Sequence, residues 1–115
     1  MLYNVSRIEL SIIKPLEGYM NSKLQGEETD KLFEAILSLK NIEECKRFFE
    51  DICTVPEIKA IAQRYDVAEM LSNGKTYNEI SEKTGASGAT ISRVNRSLNY
   101  GADGYRQVIN RMKGK

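Results

Sequence analysis

The residues best suited to bind a ligand lie between positions 83 and 97, where small and hydroxyl-bearing side chains are interspersed with basic ones. Serine and threonine hydroxyls, and the methyl groups of threonine and alanine, can contact DNA base edges directly or through water. Arginine and lysine can bind phosphates. The sequence therefore predicts DNA contacts at Lys83, Ser87, Gly88, Ala89, Thr90, Ser92, Arg93 and Arg96.

We expect two roles within this set. The residues from Ser87 to Thr90 begin a predicted helix, and small side chains there let its backbone approach base edges closely. The other four (Lys83, Ser92, Arg93 and Arg96) are better suited to phosphate or water-mediated contacts.

These residues need a helix that presents its leading end, and residues 76–99 predict a helix-turn-helix. Thr76 and Glu79 match a capping box for the first helix. Gly85 is the expected left-handed residue at its end, and Ser87 can cap the second helix. The small or apolar residues expected between the two helices are Ile80, Ala86, Ile91 and Val94. An ordinary helical hairpin would show the same caps, and the basic second helix favours DNA binding.

Charge is distributed unevenly along the chain. The formal net charge is only +1. Residues 75–115 hold eight Lys or Arg against three Asp or Glu, a net +5, and residues 1–74 hold nine against thirteen, a net −4. A basic C-terminal third suits a DNA-binding face on an acidic, dimerising body. The alternative is a protein-interaction module on a helix-turn-helix fold without DNA binding.

The composition argues against several other classes of protein. The chain has no histidine, and its two cysteines, Cys45 and Cys53, have no metal-binding spacing, so we expect no metal or cofactor and reduced core cysteines. No phosphate-binding glycine loop or paired catalytic carboxylates occur, which argues against an enzyme. No apolar run is long enough to span a membrane, and no signal peptide is evident, so a cytoplasmic protein is expected.

The remaining segments predict an all-α domain of six helices. Residues 1–27 do not share the helical pattern, and we interpret them as an N-terminal extension or arm. The first hypothesis is an extension from an upstream start, with the natural domain beginning near Met20, and the alternative is a flexible, disordered arm or an added edge element. The domain proper is predicted over residues 28–115. Helix-starting signals are expected at Thr29, at Asn41 with Glu44, and at Thr54 with Pro56 and Glu57, and a last helix is expected over residues 105–112.

The segment from Gly85 to Arg93, with Ser97 and Leu98 after it, resembles the recognition-helix signature of the Trp repressor family. The run from Thr54 to Arg64 resembles the segment that leads into it. Within the family, the likeness is greatest to the tryptophan-repressor-like branch of the YerC/YecD type. The resemblance implies a six-helix, intertwined homodimer that binds double-stranded DNA at a palindromic operator, typically as a repressor.

The resemblance also implies an effector slot beside the recognition helix. The positions that match the family's co-repressor contacts are Thr54, Arg64, Arg93 and Ser97. The tryptophan-binding members have glycine after the second arginine, where this chain has Val94. Overpacking of such a slot costs about 1–3 kcal/mol. We therefore expect tryptophan not to be the effector and leave open a ligand of another shape.

Overall fold

The computed structural model describes residues 25–115, and α-helices make up most of this segment. The helices are α1 (Glu27–Leu37), α2 (Ile42–Ile52), α3 (Val55–Ser72), α4 (Tyr77–Thr84), α5 (Gly88–Tyr100) and α6 (Gly104–Lys113). No β-strand occurs in the described segment, so the prediction of six helices is confirmed. The interpretation of residues 1–27 as an extension or arm falls outside the described residues except at positions 25–27, where Glu27 already belongs to α1.

The start of α3 is set by hydrogen bonds between Thr54 and Glu57. The Thr54 hydroxyl oxygen accepts from the Glu57 amide at 3.3 Å, and the Thr54 amide donates to the Glu57 carboxylate at 2.7 Å. These bonds complete the predicted capping box, and Pro56 occupies the first turn, where no backbone donor is needed. The helix ends at Ser72, before Asn73 and Gly74.

The other helix boundaries follow the predictions less closely. The Glu44 amide donates to the Asn41 side chain at 2.9 Å, but the Glu44 carboxylate accepts from the Lys40 amide instead of completing a box at Asn41. The predicted cap at Thr29 is wrong, because α1 already begins at Glu27. Acidic side chains in the first turn favour this earlier start, and the Thr29 hydroxyl donates back to the Gly26 carbonyl at 3.1 Å.

The chain divides into two compact units after Phe49. The second unit, residues 50–115, contains the described hydrophobic core, which is built from the C-terminal half of α3 and from α4, α5 and α6. Its buried residues are Val67, Ala68, Ile80, Ala86, Ile91, Val94, Leu98 and Ile109. The apolar positions predicted to join the two helices of the helix-turn-helix are all among them, so that prediction is confirmed. These residues form one cluster, and its packing fixes α4 and α5 against α3.

The described part of the first unit looks different. Neither α1 nor α2 contains a buried residue, although each has apolar residues at helical spacing, such as Leu32 and Ile36 on α1 and Cys45 and Phe49 on α2. Leu37 is 83% exposed and Ile42 is 70% exposed. Phe48 and Phe49 contact each other edge to face, with ring centroids 5.7 Å apart. The expectation of core cysteines is also wrong within the single chain, because Cys45 is exposed and Cys53 is half-buried.

Within residues 25–115, no helix is both long enough and apolar enough to cross a membrane.

Candidate nucleic-acid interface and the adjoining cleft

The turn between α4 and α5 has the geometry that the sequence predicts. The Thr76 hydroxyl caps α4 by accepting from the Glu79 amide at 3.2 Å. The predicted capping box is only half formed, because the Thr76 amide does not donate to the Glu79 carboxylate. Gly85 ends the helix in the left-handed region, with φ 75° and ψ 4°, and its amide donates to the Ser81 carbonyl at 2.9 Å. A side chain at this φ would be strained, which explains the glycine. The following residue, Ala86, is buried, so its small size lets the two helices meet.

The leading end of α5 is organised by Ser87 and Thr90. The Ser87 hydroxyl oxygen accepts from the Thr90 amide at 3.1 Å, and the Ser87 and Thr90 hydroxyls share a hydrogen bond, also at 3.1 Å. Either hydroxyl can donate in that bond, and the other then keeps a proton for a further acceptor. Ser87 therefore orients the first turn of α5, and the pair presents one hydroxyl donor.

The predicted DNA-contacting residues lie at the surface of the second unit. Thr90 is half-buried. The other seven are exposed: Lys83, Ser87, Gly88, Ala89, Ser92, Arg93 and Arg96. The basic side chains of this set have no hydrogen-bonding or ion-pair partner among the residues that the structure describes. A Cβ atom built on Gly88 would meet nothing within 4 Å, so the chain's own packing does not require glycine there.

Two side chains that sequence reasoning missed connect the helix-turn-helix to its neighbours. The Gln63 amide group on α3 donates to the Thr84 carbonyl at the end of α4, at 3.1 Å. Arg106 on α6 donates through Nε to the Leu98 carbonyl at 3.1 Å and through Nη2 to the Asn99 side chain at 2.8 Å. Gln63 and Thr84 are 21 residues apart, and Arg106 is seven and eight residues from its acceptors on α5. Both contacts join different helices, and no local pattern predicts them.

A cleft of about 250 Å³ lies beside α5 and contains most of the predicted effector residues. Its lining residues are Arg64, Arg93, Val94, Ser97 and Tyr105. Arg64 and Arg93 are exposed and have no partner in the described segment, whereas Val94 is only 2% exposed. Sequence reasoning did not identify Tyr105, because its position predicts only the start of the last helix.

One predicted member of the effector set does not join this cleft. Thr54 is the N-cap of α3, and Arg64 lies ten residues further along the same helix. At 1.5 Å of rise per residue the two are separated by about 15 Å along the helix axis. The structure therefore brings Arg64, Arg93 and Ser97 together and leaves Thr54 outside, with its hydroxyl and amide occupied by Glu57.

A second, mainly apolar cleft of about 470 Å³ adjoins the first. Its lining residues are Tyr65, Ser97, Ala102, Gly104, Tyr105 and Val108. Ser97 and Tyr105 line both clefts. The Tyr65 hydroxyl is buried without a hydrogen-bond partner in the described segment. The cleft that contains the two arginines and the mainly apolar cleft thus lie on either side of Ser97 and Tyr105. No group of three or more potential ligand residues able to hold a metal ion occurs in residues 25–115.

The two capped helices, the left-handed glycine turn and the buried seam define a helix-turn-helix protein. Residues 27–113 match the family model described as Trp repressor protein. The chain therefore belongs to the Trp repressor family.

Related proteins agree with this assignment. The chain is 58% identical over 91 residues to the uncharacterized protein YerC of Bacillus subtilis strain 168, a match that covers 79% of this chain and 88% of that one. It is similar to the crystal structure of a TrpR-like protein from Eubacterium eligens, with a TM-score of 0.79, 57% identity and coverage of 81% of this chain and 96% of the other.

Proposed function

We propose that the protein is a dimeric transcriptional regulator that binds specific DNA sequences, acts as a repressor and inserts α5 into the major groove. The observation that carries the proposal is the surface at the leading end of α5. Exposed small residues there stand beside Arg93 and Arg96, which have no partner in the described segment. Family membership supports a regulatory protein and not an enzyme.

The two halves of this surface have different roles in the proposal. Gly88, Ala89 and Thr90 contact base edges, because they are small and the Thr90 side chain has both a hydroxyl and a methyl group. Ser87 contributes chiefly by holding the first turn. The basic residues and Ser92 bind phosphates directly or through water, which positions α5 without specifying sequence.

A second copy of the chain is the proposed partner. The apolar stripes of α1 and α2 are exposed in the single chain, and a soluble protein rarely leaves such stripes uncovered. An intertwined homodimer would cover them. It would also present two α5 helices to successive major grooves about 34–36 Å apart, so the operator would be roughly palindromic.

Tryptophan is not the proposed effector. Val94 lines the cleft between Arg64 and Arg93 and is already buried in the core, so it both narrows the cleft and fixes α5. Calorimetric titration should show no L-tryptophan binding in the micromolar range. Micromolar binding would contradict this part of the proposal and leave the DNA-binding part intact.

The central test is selection of bound sequences from a random double-stranded DNA pool, with purified protein and no added ligand. The expected result is a roughly palindromic consensus. Thr90→Ala should change the preferred sequence. Arg96→Ala should instead weaken binding to all sequences similarly and reduce the salt slope by about one. The reverse assignment of effects would show that the roles of the two residues are exchanged.

The alternative is a protein-interaction module that has the same fold and does not bind DNA. Fluorescence anisotropy on mixed genomic DNA separates the two proposals. A DNA-binding protein should bind at low salt and lose affinity steeply as salt rises. No salt-dependent binding at low salt would reject the regulator and favour the interaction module.

A further inference from the structure

The C-terminal end of α5 is held by one side chain from α6. Arg106 donates through Nε to the Leu98 backbone carbonyl and through Nη2 to the Asn99 side-chain oxygen, at 3.1 and 2.8 Å. We call these two hydrogen bonds the Arg106 bridge. It joins residues seven and eight positions apart across the turn between the helices. The bridge lies at the opposite end of α5 from the residues proposed to contact bases.

The contacted groups are those that a helix end leaves without partners. The last carbonyls of a helix have no amide of the same helix to accept from. The Ser97 carbonyl accepts from the Gly101 amide at 2.9 Å, and the Leu98 carbonyl accepts from Arg106. A cation at a helix C-terminus is also favoured by the helix dipole. The guanidinium therefore stabilises this end of α5 by direct bonds and by its charge.

The bridge continues into the middle of α5. The Asn99 side-chain amide donates to both the backbone carbonyl and the side-chain oxygen of Asn95, each at 2.9 Å. Arg106, Asn99 and Asn95 thus form a connected row along the helix. At the turn between its two helices, the helix-turn-helix is bonded to α3 through Gln63 and the Thr84 carbonyl. The turn and the C-terminal end of the α4–α5 pair are therefore each fixed by a side chain of a neighbouring helix.

We propose that Arg106 is a positioning residue that sets the direction of α5 against α6, so that α5 is held for DNA binding without a ligand. The inference rests on the proposed function, because it assigns Arg106 to the orientation of the DNA-contacting helix. Arg106 acts through Leu98 and Asn99 and contacts no phosphate. Its loss should weaken binding to the selected operator while the number of phosphate contacts stays the same.

The two donors of the bridge explain why arginine is needed. Nε and Nη2 lie in one rigid plane and bond to two acceptors at once, whereas lysine has a single nitrogen on a flexible stem. Arg106→Lys keeps the charge and breaks the bridge. Arg106→Gln removes the charge and also breaks the bridge. Arg111→Gln is the matched control, because Arg111 is an exposed residue of the same helix and its loss changes the net charge equally.

The first measurement is the affinity for the selected operator, by fluorescence anisotropy without ligand over a range of salt concentrations. Arg106→Lys and Arg106→Gln should both weaken binding by about tenfold, the equivalent of one charged hydrogen bond, with the wild-type salt slope. Arg111→Gln should bind like wild type. Wild-type affinity in Arg106→Lys, together with a slope reduced by about one in Arg106→Gln, would show a phosphate contact and overturn the proposal.

The second measurement is hydrogen exchange of the free protein, which separates this inference from the proposed function. The amides of residues 98–101 should lose protection in both Arg106 variants and in Asn99→Ala, while the amides of α3 keep theirs. Unchanged protection at residues 98–101 would overturn the inference even if the protein binds DNA. Wild-type protein that does not bind DNA would reject the proposed function, and the exchange result would still decide whether the bridge holds α5.

Discussion

The described residues of the two units contain similar apolar patterns with opposite outcomes. In α4 and α5, Ile80 and Ile91 are fully buried, and they face partners on α3 and α6 within the same chain. In α1 and α2, Leu37 and Ile42 occupy equally regular apolar stripes and are largely exposed. An apolar stripe therefore shows that a helix face must be covered, and it does not show which molecule covers it.

The two regions should consequently differ in what their stability depends on. The core of residues 50–115 is built by one chain, so its contribution is independent of protein concentration. If a second copy covers α1 and α2, the contribution of those helices rises with concentration, because dimerisation is coupled to folding. Mutations in each region can test this difference.

The largest effect is expected from Ile91→Ala. Ile91 is completely buried at the centre of the seam, and truncation of such a side chain removes buried area and leaves a cavity. The free energy of unfolding should fall by about 2–5 kcal/mol, measured by urea denaturation monitored by circular dichroism. Tyr100→Ala, on the same helix at a residue that is 87% exposed, is the control and should cost much less. Equal losses would show that Ile91 does not lie in the core.

A somewhat smaller effect is expected from Ile42→Ser on α2. If a second copy covers Ile42, each chain of the dimer loses about 1.5–3 kcal/mol of the free energy gained by burying this side chain. The dissociation constant of the dimer should then rise at least tenfold. Sedimentation equilibrium measures this change directly. Lys46→Ser, at an exposed polar position of the same helix, should leave the constant unchanged. A wild-type protein that is monomeric at all concentrations would reject the dimer itself.

The difference between the regions also explains what could be predicted from the sequence. Helix ends are set by neighbours in sequence, so the capping residues Thr54, Thr76 and Ser87 and the turn at Gly85 were predicted correctly. The error at Thr29 has the same local origin: two starts were available within a few residues, and acidic side chains favoured the earlier one.

Long-range contacts could not be predicted in this way. Gln63, Tyr105 and Arg106 each act across a gap between helices, and no spacing along the chain indicates where their side chains end. Thr54 is the opposite case, a residue that was predicted to join a site and lies outside the cleft. Its place in the effector set came only from the family resemblance, and in this chain its hydroxyl and amide are already used by Glu57. The predictions of DNA-contacting residues remain predictions.

Gly101→Ala should have an intermediate effect on the second unit. A Cβ atom at Gly101 would lie 2.3 Å from the Ser97 carbonyl oxygen, which is backbone and cannot simply rotate away. The turn after α5 would have to shift, at a cost of about 1–3 kcal/mol in the free energy of unfolding. Gly104→Ala is the matched control, because a Cβ atom there meets nothing within 4 Å. If both variants melt at the wild-type temperature, this turn is looser than the structure indicates.

The smallest effect concerns the start of α3, where Val55 and Ile61 are exposed and packing within the chain contributes little. Hydrogen bonds from Thr54 lower the pKa of the Glu57 carboxylate below its ordinary value of 4.5. The bond from the Thr54 amide has the larger effect, and that from the hydroxyl the smaller one. Since the folded-state pKa is the lower one, this stabilisation is present above about pH 4.5 and is lost as the pH falls through the folded-state value.

Hydrogen exchange can detect this loss as local fraying of α3. The protection factors of amides 57–60 should fall below pH 4.5, while those of the buried half of α3 around Val67 change less. Glu57→Gln should show the reduced protection at every pH, because it lacks the charged acceptor. Glu50→Gln, at an exposed position of α2, should behave like wild type. Uniform loss of protection along α3 would show instead that the whole helix opens as one unit.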